Sequence, residues 1–355
     1  MSPPPAEHGA APVGAPRAAS EDAPDDALVR DVSETRLLAA FAPALAPSSS
    51  ALVGPGDDCA VVAAPDGRFV VSTDVLVEDR HFRTRWSSAY DVGWRAAHQN
   101  LADVAAMGAV PTALVVSLVL PGHLPVSWVV DLARGLSDAC APWGAGVVGG
   151  DLSGGSGVVV AVTAHGDLQG RAPVLRSGAA VGDVVAHAGV RGRSAAGLAL
   201  LDAGAGLADE AAGDELRGAY LRPRAAVDAG IAAGVAGAHA MIDVSDGLVR
   251  DARRVARASG VTLALGSPRA AFADEASLLG QAARALGGAD ALVEAWLLTG
   301  GEDHGMLATF APGTPLPQGF RPIGAVLPAG AEDVLVDGVP APGGGGWDHF
   351  ASGAA

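Results

Sequence analysis

Residues 69–120 read FVVSTDVLVEDRHFRTRWSSAYDVGWRAAHQNLADVAAMGAVPTALVVSLVL, and this stretch decides the fold class. Residues 69–75 and 113–120 are short apolar runs rich in β-branched side chains, which indicates two buried strands. Between them the apolar spacing predicts a helix from an N-cap at Asp91 to about Met107, ended by the glycine that follows. A strand, a helix and a second strand together indicate an α/β protein of the α+β type.

The same alternation continues along the chain, with Gly and Pro at the stops between elements. It predicts strands at residues 146–148, 158–164, 183–188, 240–244, 296–299 and 306–310, and helices at residues 126–141, 195–203, 225–233 and 247–258. We expect a disordered tail over residues 1–30, a first domain over residues 31–170 and a second over residues 171–355. The tail is rich in Pro, Ala, Ser and acids without apolar periodicity, so it cannot bury enough surface to order itself.

The composition excludes several ways of handling phosphate and several partners. The 23 basic side chains are all arginine, so the lysines of a P-loop and of a protein-kinase strand are both absent. A formal net charge of −16 argues against a surface for nucleic acid. The apolar runs are far shorter than the roughly 20 residues that cross a bilayer. We expect no nucleic-acid partner and no membrane span.

The cysteine content indicates the compartment. Cys59 and Cys140 are the two cysteines of the chain, and they lack the spacing of a metal site. No apolar segment of a secretory signal is found near the start of the sequence. This usage is typical of a reducing cytoplasm and predicts that the two thiols form no disulfide.

Aspartates repeatedly follow apolar runs, and this repetition is the strongest sign of chemistry. They are Asp57 and Asp58, Asp74, Asp151, Asp243 and Asp246. We expect each to stand at or just beyond a strand end, held on rigid scaffold and able to reach a cleft. Carboxylates gathered without His or Cys favour Mg²⁺ over zinc. Each acid alone is more often a helix cap or a turn residue, and Asp246 could cap the next helix.

Asp103 stands in the predicted helix three residues after Asn100, so the two share a face. A lone acid in an apolar helix could equally mark a solvated face. The Gly-Gly pairs before Asp151 and before Glu302 would permit a ligand to approach the backbone, although Gly also marks ordinary turns.

Four further side chains have both a functional and a structural interpretation. Glu302, with Asp303 after it, could meet a metal or a cationic substrate. Arg176 could bind phosphate, although a surface Arg is commoner. His81 is more often structural than a ligand, and Trp347 could cover a flat ring or only pack the C-terminus.

Seven motifs, taken in order, resemble the signature set of thiamine-monophosphate kinases and cover nearly all of the chain after the tail. They are Gly56-Asp57-Asp58-Cys59-Ala60-Val61, Ser72-Thr73-Asp74-Val75-Leu76-Val77-Glu78 with His81-Phe82, Asn100-Leu101-Ala102-Asp103-Val104-Ala105-Ala106-Met107-Gly108-Ala109, Gly149-Gly150-Asp151, Ile242-Asp243-Val244-Ser245-Asp246-Gly247-Leu248, Gly300-Gly301-Glu302-Asp303 and Gly346-Trp347-Asp348-His349-Phe350. Each motif alone is moderately specific, and the ordered set is strongly so.

The resemblance implies a fold and a reaction. The fold is that of the superfamily of aminoimidazole ribonucleotide synthetase, with two domains of mixed sheets and packed helices. The first domain, residues 31–170, would bind ATP and Mg²⁺ and form a homodimer through its sheet. The reaction would transfer the γ-phosphoryl group of ATP to thiamine monophosphate. Because that acceptor is already anionic, catalysis can rest on metal, charge neutralisation and in-line positioning.

The resemblance also implies roles for single residues. The metal positions would be Asp57, Asp58, Ser72, Thr73, Asp74, Asp103, Asp151, Asp243 and Asp246, and among them Asp57, Asp243 and Asp246 would take part in catalysis. The ATP positions would be Trp143, Gly150, Asp151, Arg176 and Ser245. The positions that hold thiamine monophosphate would be His81, Glu302 and Trp347.

Departures from the family pattern fall near the substrate positions. Asp79-Arg80 replaces the usual Gly-Val before His81, and His304 stands where Tyr usually follows the Gly-Gly-Glu-Asp motif. Two alternatives remain open at this stage: another ATP-dependent activity of the same superfamily, and a module that binds metal and nucleotide without turnover.

Overall fold

The computed structural model describes residues 27–55 and 59–343. In this part of the chain two large sheets carry helices, beside a small two-stranded sheet. The strands are β1 (Ala51–Val53), β2 (Val61–Val62), β3 (Val70–Val77), β4 (Val110–Leu120), β5 (Gly146–Gly154), β6 (Val159–Asp167), β7 (Val184–Ala188), β8 (Ala240–Val244), β9 (Val261–Leu265), β10 (Gly305–Phe310), β11 (Phe320–Pro328), β12 (Val334–Val336) and β13 (Val339–Pro340). The helices are α1 (Glu34–Phe41), α2 (Ala89–Ala106), α3 (Val126–Cys140), α4 (Arg193–Ala203), α5 (Glu210–Leu221), α6 (Val227–Val235), α7 (Leu248–Ser259), α8 (Pro268–Ala271), α9 (Ala273–Ala285) and α10 (Asp290–Thr299).

The four-stranded sheet has the order β3, β6, β4, β5, with β4 and β5 parallel and the other neighbours antiparallel. Helices α2 and α3 pack against each other and against one face of this sheet. Helix α2 begins three residues earlier than predicted, because Ser88 and Asp91 bond reciprocally in a capping box with Ser88 as the N-cap. The prediction of Asp91 as the N-cap is therefore wrong.

The two faces of the four-stranded sheet differ in exposure. In β3, Ser72, Asp74 and Leu76 alternate with Val71 and Val75, and only the first three face α2. Val71 is 57% exposed and Val75 is 45% exposed. The prediction of a buried strand holds for β4 and is wrong for β3, whose second face is open.

The seven-stranded sheet has the order β13, β12, β9, β11, β7, β10, β8. β12 and β9 are parallel, and every other neighbouring pair is antiparallel. Helices α4, α7, α9 and α10 share a hydrophobic core with one face of it. The predicted strand at residues 296–299 is wrong, because it is the last turn of α10, where Val293, Trp296 and Leu297 are buried at helical spacing. The prediction missed α5, α8 and α9 and the strands β9, β11, β12 and β13.

Helix α2 lies between the two sheets and brings them together. Its apolar side chains share a core with Met241, Met306 and Phe310 of the seven-stranded sheet. Ile242, the neighbour of Met241 in β8, belongs to the other core. Because side chains alternate along a strand, Asp243 lies on the same side as Met241 and faces α2.

The first described residues are part of the fold. Val29 N donates a hydrogen bond to Leu124 O at 2.7 Å, and Leu28 forms a bridge with Pro125. Residues 27–30, which the predicted tail includes, are therefore part of the fold, and residues 1–26 lie outside the described part. None of the described helices combines the length and apolarity that a bilayer crossing requires.

Candidate active site

Three carboxylates from three elements approach one another beside α2. Asp74 lies in β3, Asp103 in the last turns of α2 and Asp243 near the end of β8. Ser72 donates a hydrogen bond from Oγ to Asp103 Oδ2 at 2.6 Å, and Ser72, Asp103 and Asp243 line one cavity of about 180 Å³. We call Asp74, Asp103 and Asp243 the aspartate cluster.

Helix α2 holds β3 in register through two amide side chains. Gln99 Nε2 donates to Asp74 Oδ2 at 2.8 Å, and Asp74 N donates to Asn100 Oδ1 at 3.2 Å. Asn100 Nδ2 in turn donates to Ala96 O at 2.8 Å. The shared face of Asn100 and Asp103 is thus turned toward β3, and the alternative of a solvated face for Asp103 is wrong.

The placement of two aspartates within their strands differs from the prediction. β3 continues three residues beyond Asp74, and β5 continues three residues beyond Asp151. The expectation that these acids stand at strand ends is wrong. Each of these acids reaches one face of the sheet because side chains alternate along a strand. A prediction based only on strand ends does not take this alternation into account.

The cluster carries more negative charge than its described neighbours neutralise. Burial raises the pKa of Asp103 to about 7, and the charges of Asp243 and Asp74 add to the rise. Asp243 is 5% exposed, and His304 Nδ1 lies 3.6 Å from Asp243 Oδ2. Within the described residues, no three Asp, Glu, His or Cys side chains are close enough to hold an ion by themselves.

Arg176 reaches the mouth of the cluster. It is exposed and lines the 180 Å³ cavity together with Ser72, Asp103 and Asp243. Ser259 Oγ donates to the Arg176 carbonyl at 3.1 Å, which anchors the backbone of this loop to the end of α7. The structure therefore brings the predicted phosphate-binding arginine together with three of the predicted metal ligands.

Asp246 lies after β8 in a different environment. Arg254 Nη2 donates to Asp246 Oδ2 at 2.6 Å, and Asp246 N donates to Asp251 Oδ2 at 3.0 Å. Burial, with the charge of Asp243 next, raises the pKa of Asp251 to about 7. The N-cap of α7 is Gly247, so the alternative that Asp246 caps this helix is wrong.

The loop of residues 300–304 packs directly on the end of β8. A Cβ atom on Gly301 would lie 2.6 Å from Ser245 O, and Glu302 N donates to Ser245 O at 2.7 Å. Glu302 and His304 both adopt positive φ, at 68° and 50°, a conformation unusual for residues other than Gly. The Glu302 carboxylate is ion-paired with Arg95 of α2.

The Asp303 side chain is directed to the start of α4, where it stabilises the fold. It accepts hydrogen bonds from Gly192 N at 2.6 Å and Ser194 N at 2.9 Å, at the start of α4. Arg191 Nη1 lies 3.3 Å from Asp303 Oδ2, and both side chains are 0% exposed. Arg191 Nη2 also donates to Gly300 O at 2.6 Å. We call Arg191 and Asp303 the arginine clamp; it leaves only Glu302 of the acidic pair open to a ligand.

Thr73 and Asp151 are separated from the aspartate cluster. Both side chains lie on the open face of the four-stranded sheet, where Thr73 pairs with Thr163 and Asp151 pairs with Ser117. They stand on the two edge strands, β3 and β5. The predicted metal residues of the four-stranded sheet thus lie on opposite faces of it, with Ser72 and Asp74 toward α2 and Thr73 and Asp151 on the open face.

Gly150 has a structural reason to be glycine. A Cβ atom there would lie 1.8 Å from Val116 O of the neighbouring strand, whereas a Cβ atom on Gly149 would meet nothing within 4 Å. Both border a cavity of about 1020 Å³ along the open face, which Asp151 and His165 also line. Close approach of a ligand is therefore not needed to explain Gly150.

The remaining predicted residues are held by local contacts. His81 Nδ1 accepts a hydrogen bond from Val77 N at 2.9 Å, in a turn where Asp79 has φ of 62°. Trp143 Nε1 donates to Asp228 Oδ1 at 2.7 Å, which ties it to α6. Asp57, Asp58 and Trp347 lie outside the described residues.

Sequence reasoning missed three polar residues that shape the site. Arg95 and Gln99 lie on α2 and bind Glu302 and Asp74, and Arg254 binds Asp246. The available signal was Arg95 itself, the one arginine of α2, which stands between apolar residues. No spacing rule could name its partner, because Arg95 and Glu302 are 207 positions apart.

The comparisons with known proteins identify the family of the chain. Residues 56–168 match the family model of the AIR synthase related protein, N-terminal domain. The chain is 50% identical over 302 residues to the thiamine-monophosphate kinase of Mycobacterium tuberculosis, covering 85% of this chain and 87% of that protein. It is 41% identical over 302 residues to the thiamine-monophosphate kinase of Corynebacterium glutamicum, covering 83% and 88%.

Solved structures show the same fold. AaThiL complexed with AMPPCP and TMP superposes with a TM-score of 0.71 at 32% identity, covering 83% of this chain and 91% of that chain. The hydrogenase maturation protein HypE superposes with a TM-score of 0.62 at 16% identity, covering 83% and 88%. The second likeness shows a shared fold alone.

Proposed function

Because this chain belongs to the thiamine-monophosphate kinase family, we propose that it transfers the γ-phosphoryl group of ATP to thiamine monophosphate. The products are thiamine diphosphate and ADP. The single observation that carries the proposal is 50% identity over 85% of the chain to a thiamine-monophosphate kinase. The complex of AaThiL with AMPPCP and TMP supports ATP as the co-substrate.

We propose Mg²⁺ as the metal of the aspartate cluster. The donors are carboxylate oxygens with the Ser72 hydroxyl nearby, which suits a hard cation that shares its ligands with water and phosphate. Burial raises the pKa of Asp103 to about 7, and the charges of Asp243 and Asp74 add to the rise; this gathering of acids supports the same assignment. Bound Mg²⁺ would neutralise charge on the transferred group. Asp57, Asp58, Asp246, Thr73 and Asp151 remain predicted ligands.

In this proposal, Arg176 and Glu302 align the γ-phosphoryl group of ATP with the phosphate of thiamine monophosphate. Arg176 offers a planar donor fork, always charged, to phosphate oxygens at the mouth of the cluster. Glu302 is 31% exposed and presents a negative charge to the cationic ring of the acceptor. Because the acceptor phosphate is already ionised, no strong general base is required, and the catalytic effect comes from alignment and charge.

A turnover assay tests this function. Purified protein with ATP, Mg²⁺ and thiamine monophosphate should form thiamine diphosphate and ADP, separated by chromatography. Unphosphorylated thiamine in place of the monophosphate should give no product, because it lacks the acceptor phosphate. Folded protein that forms no thiamine diphosphate would contradict the proposal.

We also propose two domains, residues 31–170 and 171–355, and a cytoplasmic location. Each large sheet falls within one of these ranges, which supports the division. Cys59 and Cys140 are both free, as expected in a reducing compartment. Limited proteolysis should cut within the loop of residues 171–183 before it cuts either sheet.

We also propose a homodimer through the four-stranded sheet. The open face exposes Phe69, Val71 and Val75 by 57%, 57% and 45%, an apolar surface of the kind that partners cover. Val71→Asp should give a monomer in light scattering, whereas Val181→Asp, at a position 59% exposed outside this sheet, should not. A Val71→Asp protein that keeps the wild-type mass would contradict this interface.

A further inference from the structure

Arg95 is a buried cation at the boundary between the two sheets. Its side chain is 1% exposed. Nη1 donates to Glu302 Oε2, and Nη2 donates to the Tyr220 carbonyl. A guanidinium that binds a carboxylate from a loop and a backbone carbonyl from the last turn of α5 fixes both, because its donors have one rigid geometry.

Arg95 is itself held by a stack of rings and arginines. Its guanidinium carbon lies 4.5 Å from the centroid of the Tyr220 ring. The Tyr220 ring meets Trp86 edge to face, with centroids 6.3 Å apart. Arg85 covers Trp86 at 4.4 Å. Such contacts are favourable when they are partly desolvated, and here they connect the segment that follows His81 to Glu302.

The backbone of Glu302 is fixed independently of Arg95. Glu302 N donates to Ser245 O at 2.7 Å, and its φ is 68°. The direction of the side chain is therefore the remaining variable, and Arg95 sets it through Oε2. Within the described residues Oε1 accepts no hydrogen bond, and an ionised carboxylate has lone pairs for more than one partner.

We propose that Arg95 is the positioning residue of the substrate site. It holds Glu302 Oε2 so that Oε1 is presented to the cationic part of thiamine monophosphate, an inference that rests on the proposed function. Tyr220 and Trp86 keep the guanidinium in place. Arg95 touches no substrate and acts only through Glu302.

Arg95→Lys tests the proposal, because it keeps the charge and loses the fork and the planar stacking surface. The KM for thiamine monophosphate should rise by about tenfold, the equivalent of one hydrogen bond to a charged group. The KM for ATP should stay within about twofold, since the aspartate cluster is unchanged. Arg134→Lys, in an exposed ion pair with Asp131, is the matched control and should change neither constant.

A double-mutant cycle separates positioning from general structure. Glu302→Gln should raise the same KM, and Arg95→Lys added to it should have little further effect, because Arg95 acts through the residue already changed. Tyr220→Leu keeps the carbonyl acceptor and removes the stacking ring. It should raise the KM for thiamine monophosphate less than Arg95→Lys does, and it replaces that variant if Arg95→Lys does not fold.

The outcomes distinguish this role from the proposed function. Wild-type enzyme that forms no thiamine diphosphate overturns the function, and with it the role of Arg95. Wild-type turnover combined with an unchanged KM in Arg95→Lys, or in Tyr220→Leu where that variant replaces it, overturns the role of Arg95 alone. If the increases in KM caused by Arg95→Lys and Glu302→Gln multiply in the double variant, the role of Arg95 is also overturned. Independent effects would mean that Arg95 does not act through Glu302.

Discussion

The aspartate cluster and the arginine clamp contain similar acids under opposite conditions. Asp303 in the clamp accepts two backbone hydrogen bonds and faces Arg191. Burial raises the pKa of Asp303, and the Arg191 charge opposes that rise. Asp103 in the cluster faces two other acids, and burial with their charges raises its pKa to about 7. In this comparison, the acid that an arginine neutralises stabilises the fold, whereas the acids that lack such a partner can bind a cation.

The largest expected effect is on turnover in the cluster. Asp243→Asn should lower kcat by about 1000-fold, because a charge that acts on the transferred group is lost. The melting temperature without metal should be unchanged or higher, since the substitution removes repulsion with Asp103. Rapid-quench kinetics and thermal melting measure the two effects. A large loss of stability would show that the cluster is structural after all.

Substitution in the arginine clamp should lower the stability of the fold, in contrast to substitution in the aspartate cluster. Asp303→Ala leaves the Arg191 guanidinium buried without its carboxylate, which costs about 3–5 kcal/mol of unfolding free energy. Urea unfolding measures it. Replacing Arg191 by Met in the same protein should recover part of the loss, because no unpaired charge is then buried. A cost of the single substitution near zero would make the clamp dispensable.

Gly301 links the two regions, and its substitution should have an intermediate effect. A Cβ atom there would lie 2.6 Å from Ser245 O, so Gly301→Ala should cost about 1–3 kcal/mol. Gly218→Ala is the control, because a Cβ atom at Gly218 meets nothing within 4 Å, and Ala favours a helix interior by about 1 kcal/mol. Equal unfolding midpoints for the two variants would mean that the loop does not press on β8.

The smallest effect lies outside both regions, in the turn before His81. Asp79 has φ of 62°, which costs a residue with a Cβ atom about 1 kcal/mol relative to Gly. Asp79→Gly should therefore raise the melting temperature slightly, and differential scanning calorimetry can detect the change. A clear destabilisation would show that the Asp79 side chain makes a contact that outweighs backbone strain.

Parts of the fold and the site were predictable from local pattern. β8 spans the predicted residues 240–244, and α7 lies within one residue of its predicted bounds at both ends. Residues 296–299 were misassigned because four apolar residues fit a strand as well as the end of a helix. Ser72, Asp74, Asp103 and Asp243 are four of the nine metal positions that the family resemblance implies, and the structure brings these four together beside α2.

The partners of these residues were not predictable, because they depend on contacts between distant segments. Nothing near Asp303 in the sequence shows that Arg191 neutralises it, 112 positions away. Alternation along β3 puts Thr73 on the face opposite Ser72 and Asp74, but nothing near it in the sequence shows which of the two faces α2 covers. Strand alternation is local, but which face is buried is decided by what packs on it.

By itself the sequence determined the class of chemistry. A chain without lysine and with repeated aspartates must handle phosphate with arginine, backbone and metal, because those are the remaining groups that stabilise its charge. The tertiary structure alone decided which acids are free to do so. Neutralisation requires a cationic partner within a few ångströms, and only folding brings Arg191 to Asp303 and Arg254 to Asp246. Folding also brings Asp243 close to Asp103, where neither acid neutralises the other.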